Sequence, residues 1–500
     1  MEKKFAELKN RLLEVADIGS VNAVLGWDQL TCMPPGGAAT RARQQARFAR
    51  MAQEKFIDPA IGKLLDDLRP YEESLPYEHD DASLIRVARR DYELAIKVPP
   101  EFMSRLNEHQ SQAYMAWAEA RPANDFGKVR PFLEKMVDLS REFANYFPGY
   151  EHIADPLIDR ADFGMKASSL RALFARLREK LVPIVQAITS QAPAEAAFMK
   201  EAFPKEGQME FSRMAIKRLG YDYSRGRDDL ARHPFTTSFS QNDVRITTRV
   251  NEYDLGDCLF SMIHEAGHGM YEQGVNPAYE GTPLANGTSA GVHESQSRLW
   301  ENVVGRSRGF WEYFYPDLQK TFPHLEKVGL DAFYRAINKV EKSLIRTEAD
   351  EVTYNLHIML RLDFELQLLE GSLAVGDLPE AWRERFQLDL GVLPPDDKDG
   401  VLQDIHWYAG IVGGVFQGYT LGNIMCAQFF AAALKAHPEI PDKMKQGKFD
   451  TLHNWLIENI YRHGRKFTAP ELVKRVTGSE ISIEPYVEYL RTKYGGLYQL

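Results

Sequence analysis

Three side chains within five residues carry the first chemical signal: His264, Glu265 and His268, an H-E-x-x-H run in His264-Glu-Ala-Gly-His268. On a helix, residues four apart share a face, so both imidazoles can point at one cation while Glu265 stands beside it unligated. That set suits zinc, with Glu265 as the general base of a hydrolysis. In a chain with 13 histidines the pattern arises by chance in roughly 0.03 of comparable sequences. Glycines at 267 and 269 inside a helix each cost about 1 kcal/mol relative to alanine. Close approach by another backbone or by a substrate would explain that cost.

A catalytic zinc needs a third protein ligand and an open position for water. A metzincin would carry glycine and histidine at the third and sixth places after the second histidine, but Tyr271 and Gly274 stand there, which excludes that class. Beyond a loop rich in Gly, Pro and Asn, a second helix opens with His293-Glu-Ser-Gln-Ser-Arg298. Glu294 is the candidate third ligand. Two neutral imidazoles and one carboxylate leave a site of about +1, able to bring a bound water to a pKa near 7. His293 competes for the place, and an i,i+4 ion pair with Arg298 is the plain alternative for Glu294.

The elements that must position these groups are mainly helical. Apolar residues recur at three- and four-residue steps in the N-terminal segment and through 38 to 68, 82 to 118, 127 to 147 and 167 to 190. The stretch 331 to 371 reads as one long helix or two joined ones. Runs such as Met33-Pro-Pro-Gly36 and Leu393-Pro-Pro395 punctuate the pattern. The segment 254 to 274 reads as a capped helix, with Asp254 or Asp257 at its start and Gly274 past its end. Just before it, 233 to 240 and 243 to 250 alternate and are rich in Thr, Val, Ile and Phe, as two short strands would be.

Composition sets the outer bounds. A chain of 500 residues, 44% hydrophobic and 26% charged, is globular; it is expected to form one helical domain over 1–500, with two lobes around a cleft as the alternative arrangement. A net charge of -10 argues against nucleic acid or an anionic membrane as the main partner. Cys32, Cys258 and Cys426 lie far apart and indicate neither a disulfide framework nor a thiolate metal site. With no apolar run long enough to span a bilayer and no signal-peptide pattern at the N-terminus, the expected location is cytoplasmic.

In order, the sequence contains His233-Pro-Phe235; Asp243-Val-Arg245-Ile-Thr247; the H-E-x-x-H helix; His293-Glu-Ser-Gln296; Ile345-Arg346-Thr-Glu-Ala-Asp350; and Gly400-Val-Leu-Gln403-Asp404-Ile-His406-Trp407. This succession resembles the carboxypeptidase Taq family of cytosolic, nearly all-helical metallocarboxypeptidases, over most of the chain. The resemblance implies a helical metallopeptidase fold with a deep active-site cleft. It implies one divalent metal, Zn2+ or alternatively Co2+, held by His264, His268 and Glu294, with Glu265 as base. It also implies a peptide substrate with a free C-terminus, and a homodimer. Leu25-Gly-Trp27-Asp28 and Tyr419-Thr-Leu-Gly-Asn423 fit the family too, whereas Gly413 to Gly418 depart from its pattern and bear on pocket shape.

Tyr419 or His406 is expected to donate to the oxyanion. A carboxypeptidase must also grip the terminal carboxylate, which suits a guanidinium fork. Arg346 and Arg245, the latter with Asp243, are the candidates for substrate contact. The plain alternatives are ion pairs, Arg346 with Asp350 on a helix and Arg245 with Asp243 on a strand. A helical oligopeptidase cutting internal bonds is the competing enzyme, and a silent metal-stabilised scaffold the competing class. The retained Glu265 counts against the scaffold, because a structural site needs no base.

Overall fold

The computed structural model describes all 500 residues. The chain begins with four helices, α1 (Glu2–Thr31), α2 (Ala38–Phe56), α3 (Pro59–Ser74) and α4 (Asp80–Lys97). The stretch expected to run from 38 to 68 is divided at Asp58, whose carboxylate accepts from the Ala60 N–H with Pro59 at the first helical position, a strong N-terminal signal. Leu8 and Leu12 of α1 meet Ile61 and Leu65 of α3 and Leu84 and Ile85 of α4 in a small core of their own. That core also takes in Val275, Tyr279 and Leu284 from the loop after the H-E-x-x-H helix. No residue of α2 is buried; an Arg41–Asp28 ion pair at 2.6 Å ties it to α1.

The rest of the molecule shares one large apolar core. It begins with α5 (Pro100–Ala123), α6 (Phe126–Asn145), α7 (Asp155–Ala161), α8 (Ala167–Thr189) and α9 (Lys205–Leu219). A three-stranded sheet follows, ordered β1-β3-β2, with β1 (Gly226–Leu230) parallel and β2 (Thr236–Ser240) antiparallel to the central β3 (Asp243–Thr248). The two expected strands are β2 and β3. The first strand, Gly-Arg-Asp-Asp-Leu, has no β-branched residue to announce it; Arg213 of α9 holds it by a fork on Asp228 at 2.7 to 3.0 Å. Side chains alternate across the sheet. Val244 and Ile246 are buried, and Ile246 lies against the next helix beneath Gly269. Arg245, opposite Thr237, points to the other face, where Trp27 of α1 receives it.

The H-E-x-x-H helix is α10 (Leu255–Gly274), capped by Asp254, which accepts from the Gly256 N–H at 3.0 Å. Gly274 is its last residue rather than the first beyond it. Ser289 caps α11 (Ala290–Arg298), which runs on into a π-helical turn, Leu299–Val304. After α12 (Arg308–Thr321) and α13 (Leu330–Ile337) the chain departs from expectation: 338–353 is irregular apart from a single 3-10 turn at Arg346–Glu348, and only then does α14 (Tyr354–Glu370) begin. The Asp350 carboxylate accepts from the backbone of Glu341, Val352 and Thr353, so it stabilises a loop and the approach to a helix instead of continuing one. The remaining helices are α15 (Leu378–Leu390), α16 (His406–Ala409), α17 (Gln417–Ala436), α18 (Ile440–Met444), α19 (Asp450–Asn459), α20 (Ala469–Thr477) and α21 (Glu484–Tyr498). No helix is long and apolar enough to cross a membrane.

Candidate metal centre

α11 lies between α10 and α17, and two glycines set how closely the three approach. A Cβ on Gly267 would sit 2.7 Å from Ser297 Cα and 2.8 Å from the Gln296 carbonyl oxygen; one on Gly422 would sit 2.5 Å from Glu294 Cγ. The cost of Gly267 in a helix is therefore explained by an approaching backbone, that of α11. Gly269 is overlain by the Tyr221 ring.

The close approach brings three ligand atoms together. His264 Nε2 and His268 Nε2 lie 3.6 and 3.5 Å from the same Glu294 oxygen, Oε2, and the three residues form one potential cation site. Two ligands of a tetrahedral ion with bonds of ~2.1 Å stand roughly 3.4 Å apart, so the nitrogen–oxygen spacings fit zinc without rearrangement. His293 is not in this group. Its Nδ1 lies 2.6 Å from the back of His268, at Nδ1.

Each ligand is oriented from behind. His264 Nδ1 lies 2.9 Å from Glu301 Oε2, and Glu301 also accepts from Arg298 and Arg306. Arg298 Nε donates to Glu294 Oε1 at 2.7 Å, so the expected i,i+4 pair leaves the other oxygen free for a ligand role: one oxygen faces arginine and the other the histidines. The partners of metal-binding side chains fix ring orientation and ligand basicity in this way. Glu301 escaped the sequence reading, although it follows Glu294 by seven residues and so shares its helix face; the π turn that carries it is a feature common near functional sites.

Burial disfavours charge throughout, and the neighbours decide the outcome. Burial pulls the His268 imidazole down to about 3. It also opposes charge on His264, but the Glu294 and Glu301 carboxylates outweigh it and raise that group. Despite burial, Arg298 and His264 hold Glu294 well below the carboxylate range, and Arg298 with His264 holds Glu301 at about 2. Glu265 goes the other way: burial raises its carboxyl. The Thr236 hydroxyl, 2.6 Å from Glu265 Oε2, leaves Oε1 free.

A second polar group stands beside the first. Arg298 stacks on the Tyr354 ring, 4.6 Å from its centroid, and the Tyr354 hydroxyl accepts from Arg346 Nη1 at 3.3 Å. Arg346 is 8% exposed and donates from Nε and Nη2 to Asp404 Oδ1 at 3.0 and 2.8 Å. Its ion-pair partner is thus Asp404 and not Asp350, because no helix joins 346 to 350. Asp404 Oδ2 is held at 2.5 Å by Arg361, a fully buried residue absent from the sequence reading. Tyr419 and Phe416 flank Arg346, each ring centroid 5.7 Å from its guanidinium. His406 Nδ1 lies 3.5 Å from Asp404 Oδ1, which places His406 with Arg346. Arg245 and Asp243 are elsewhere: they form a two-bond fork at 2.8 Å under Trp27 and Phe239, on the sheet face turned away from Thr236 and Glu265.

The profile of the family described as carboxypeptidase Taq (M32) metallopeptidase matches residues 7–494. The chain is 40% identical over 499 residues to thermostable carboxypeptidase 1 of Thermus thermophilus, covering 97% of each chain. It is 35% identical to carboxypeptidase 1 of Bacillus subtilis, covering 100% of this chain and 99% of that one. Among solved structures, the M32 carboxypeptidase of Deinococcus radiodurans superposes with a TM-score of 0.97 at 48% identity, covering all of both chains.

Proposed function

The chain belongs to the carboxypeptidase Taq (M32) metallopeptidase family and is a metallocarboxypeptidase, a hydrolase of peptide bonds, and from that premise we propose that His264, His268 and Glu294 hold one divalent cation, zinc by its fit, with Glu265 as the base. The observation that carries this is the convergence of two imidazole Nε2 atoms on one Glu294 oxygen, with a buried carboxyl beside them. A cation there supplies Lewis acidity, activating water near neutral pH and polarising the scissile carbonyl.

Glu265 takes the proton of the attacking water through Oε1 and delivers it to the leaving amine nitrogen; its raised carboxyl brings it nearer the working pH, where acid–base transfer is most effective. Arg346 receives the terminal carboxylate. Its Nε and one Nη2 proton are spent on Asp404 and one Nη1 proton on Tyr354, so the remaining proton on each of Nη1 and Nη2 forms the fork. One carboxylate shared by Arg346 and Arg361 leaves a net positive charge for the substrate. Tyr419, whose ring flanks Arg346 and whose hydroxyl is near enough to feel both Arg346 and Glu294, is the oxyanion donor; His406 supports the clamp through Asp404. Arg245 and Asp243, with their fork closed on each other and Trp27 stacked on the guanidinium, brace the seam between β3 and α1. Three thiols without a disulfide support a cytoplasmic location, and resemblance to the family supports a homodimer.

The test is a time course on a free-ended peptide. Stepwise loss of single C-terminal residues is the expected result. Internal fragments, or equal cleavage of a C-terminally amidated peptide, would instead support the oligopeptidase reading.

A further inference from the structure

Glu272 stands four residues beyond His268 and eight beyond His264, on the same face of α10. It is 6% exposed, so solubility does not account for it. Its Oε1 lies 2.6 Å from His293 Nε2, and His293 Nδ1 lies 2.6 Å from His268 Nδ1. The Tyr271 ring, with its centroid 5.0 Å from that of His293, packs against the imidazole. The contacts therefore form a continuous row, Glu272 to His293 to His268, ending at the nitrogen that faces Glu294 Oε2.

Protons in such a row are not independent. Two ring nitrogens 2.6 Å apart must share one proton, since two lone pairs or two N–H groups would repel. A carboxylate oxygen in a 2.6 Å contact with a ring nitrogen accepts from it, so the proton of His293 lies on Nε2. His293 Nδ1 is then the acceptor in the second contact, His268 donates to it from its own Nδ1, and His268 Nε2 is left bare.

We propose that Glu272 and His293 are positioning residues that hold His268 in its Nδ1–H tautomer and so present an unprotonated Nε2 to the metal. The inference rests on the reading of His268 as a ligand and adds a role for His293, distinct from that of a third ligand. Partners of this kind change metal affinity by about 10- to 100-fold.

Two near-isosteric substitutions separate the contacts of His293. In His293→Asn the amide oxygen takes the place of Nδ1, keeping an acceptor for His268. In His293→Gln the amide reaches the place of Nε2, keeping the Glu272 contact and leaving nothing for His268. Zinc affinity is measured by competition with a chelator of known affinity, alongside the melting temperature of each metal-free protein. The expected result is unchanged melting, a 10- to 100-fold weaker zinc affinity for His293→Gln and a distinctly smaller loss for His293→Asn. Wild-type affinity in both, equal loss in both, or the reverse order overturns the inference. His268→Ala separates the two failures. If it keeps stoichiometric zinc, the ligand assignment itself is wrong and the relay falls with it; if it loses zinc while both His293 variants bind normally, only the relay is wrong.

Discussion

At the scale of residues, Glu294 and Asp404 each divide their charged partners between their two oxygens. Glu294 gives Oε1 to Arg298 and Oε2 to the histidines, while Asp404 gives Oδ1 to Arg346 and Oδ2 to Arg361. The second division makes the clamp testable. Arg346→Ala leaves Asp404 paired with Arg361, so the variant should fold and keep its metal. Loss of a charge-assisted bond worth roughly 1.5 to 3 kcal/mol should lower kcat/KM on free-ended peptides by about 10- to 150-fold. Activity on amidated peptides, already poor, should hardly change. Arg346→Lys should recover only part, because an ammonium cannot form the fork. Equal loss on both substrates would mean that Arg346 serves Asp404 alone.

At the scale of elements, helix contact depends on positions where nothing but hydrogen fits. Gly267→Ala gains about 1 kcal/mol of helix propensity, but its Cβ would meet the α11 backbone at 2.7 Å, an overpacking cost of about 1 to 3 kcal/mol. The net effect should be lower stability and weaker zinc binding as α10 and α11 separate. Gly19→Ala, in the middle of α1 with nothing within 4 Å of the added carbon, should raise stability by up to about 1 kcal/mol. Thermal melts of the two should move in opposite directions.

Helix α14 offers a further test through its buried Glu365, which accepts from Trp407 Nε1 at 2.9 Å while burial lifts its carboxyl to about 7. A folded-state pKa above the unfolded value of 4.5 means that the native state holds the proton more tightly. The resulting stabilisation is complete below about 4.5, falls as pH rises towards 7 and is absent above it, a difference on the order of 3 kcal/mol. Relative to Glu365→Gln, the parent should therefore lose stability between pH 4.5 and 7 and show no further relative change above. A constant difference across that range would show that Glu365 does not titrate there.

At the scale of the whole molecule, two cores meet around the sheet and the loop after α10. The small core borrows Val275, Tyr279 and Leu284, and Trp27 of α1 stacks on Arg245 of β3, so the N-terminal helices are fastened to the strands beside Glu265. The proposed metal ligands all come from α10 and α11, so a cation held there would join two helices separated by a loop. Chelation should therefore abolish activity and also lower the melting temperature, since a ligand that binds only the folded state stabilises it by mass action. Zinc or cobalt should restore both. Full activity in the stripped protein would remove the metal from the reaction.

The local periodicity and spacing of the sequence were enough to identify the helical class, the β element before α10 and a cation site on one helix face, because a helix puts residues four apart side by side and His264 and His268 are four apart. Glu294 was legible as a candidate from its residue type and helix. Its distinction from His293 was not, since both side chains reach α10 and only the packing of α11 on Gly267 decides which one meets the Nε2 atoms of His264 and His268 and which one meets the back of His268. Arg346 was legible through its motif, but its partner was mistaken: spacing pointed to Asp350 on a helix, while the structure has a loop there and Asp404, 58 residues away, supplies the charge. Arg361 and Glu272 left no usable sign, because a charged residue on a helix reads as solvent-exposed until burial shows otherwise. Chain spacing thus determined which groups could do the chemistry; which of them meet, and at what charge, depended on long-range packing that removes water from some carboxylates and arginines and not from others.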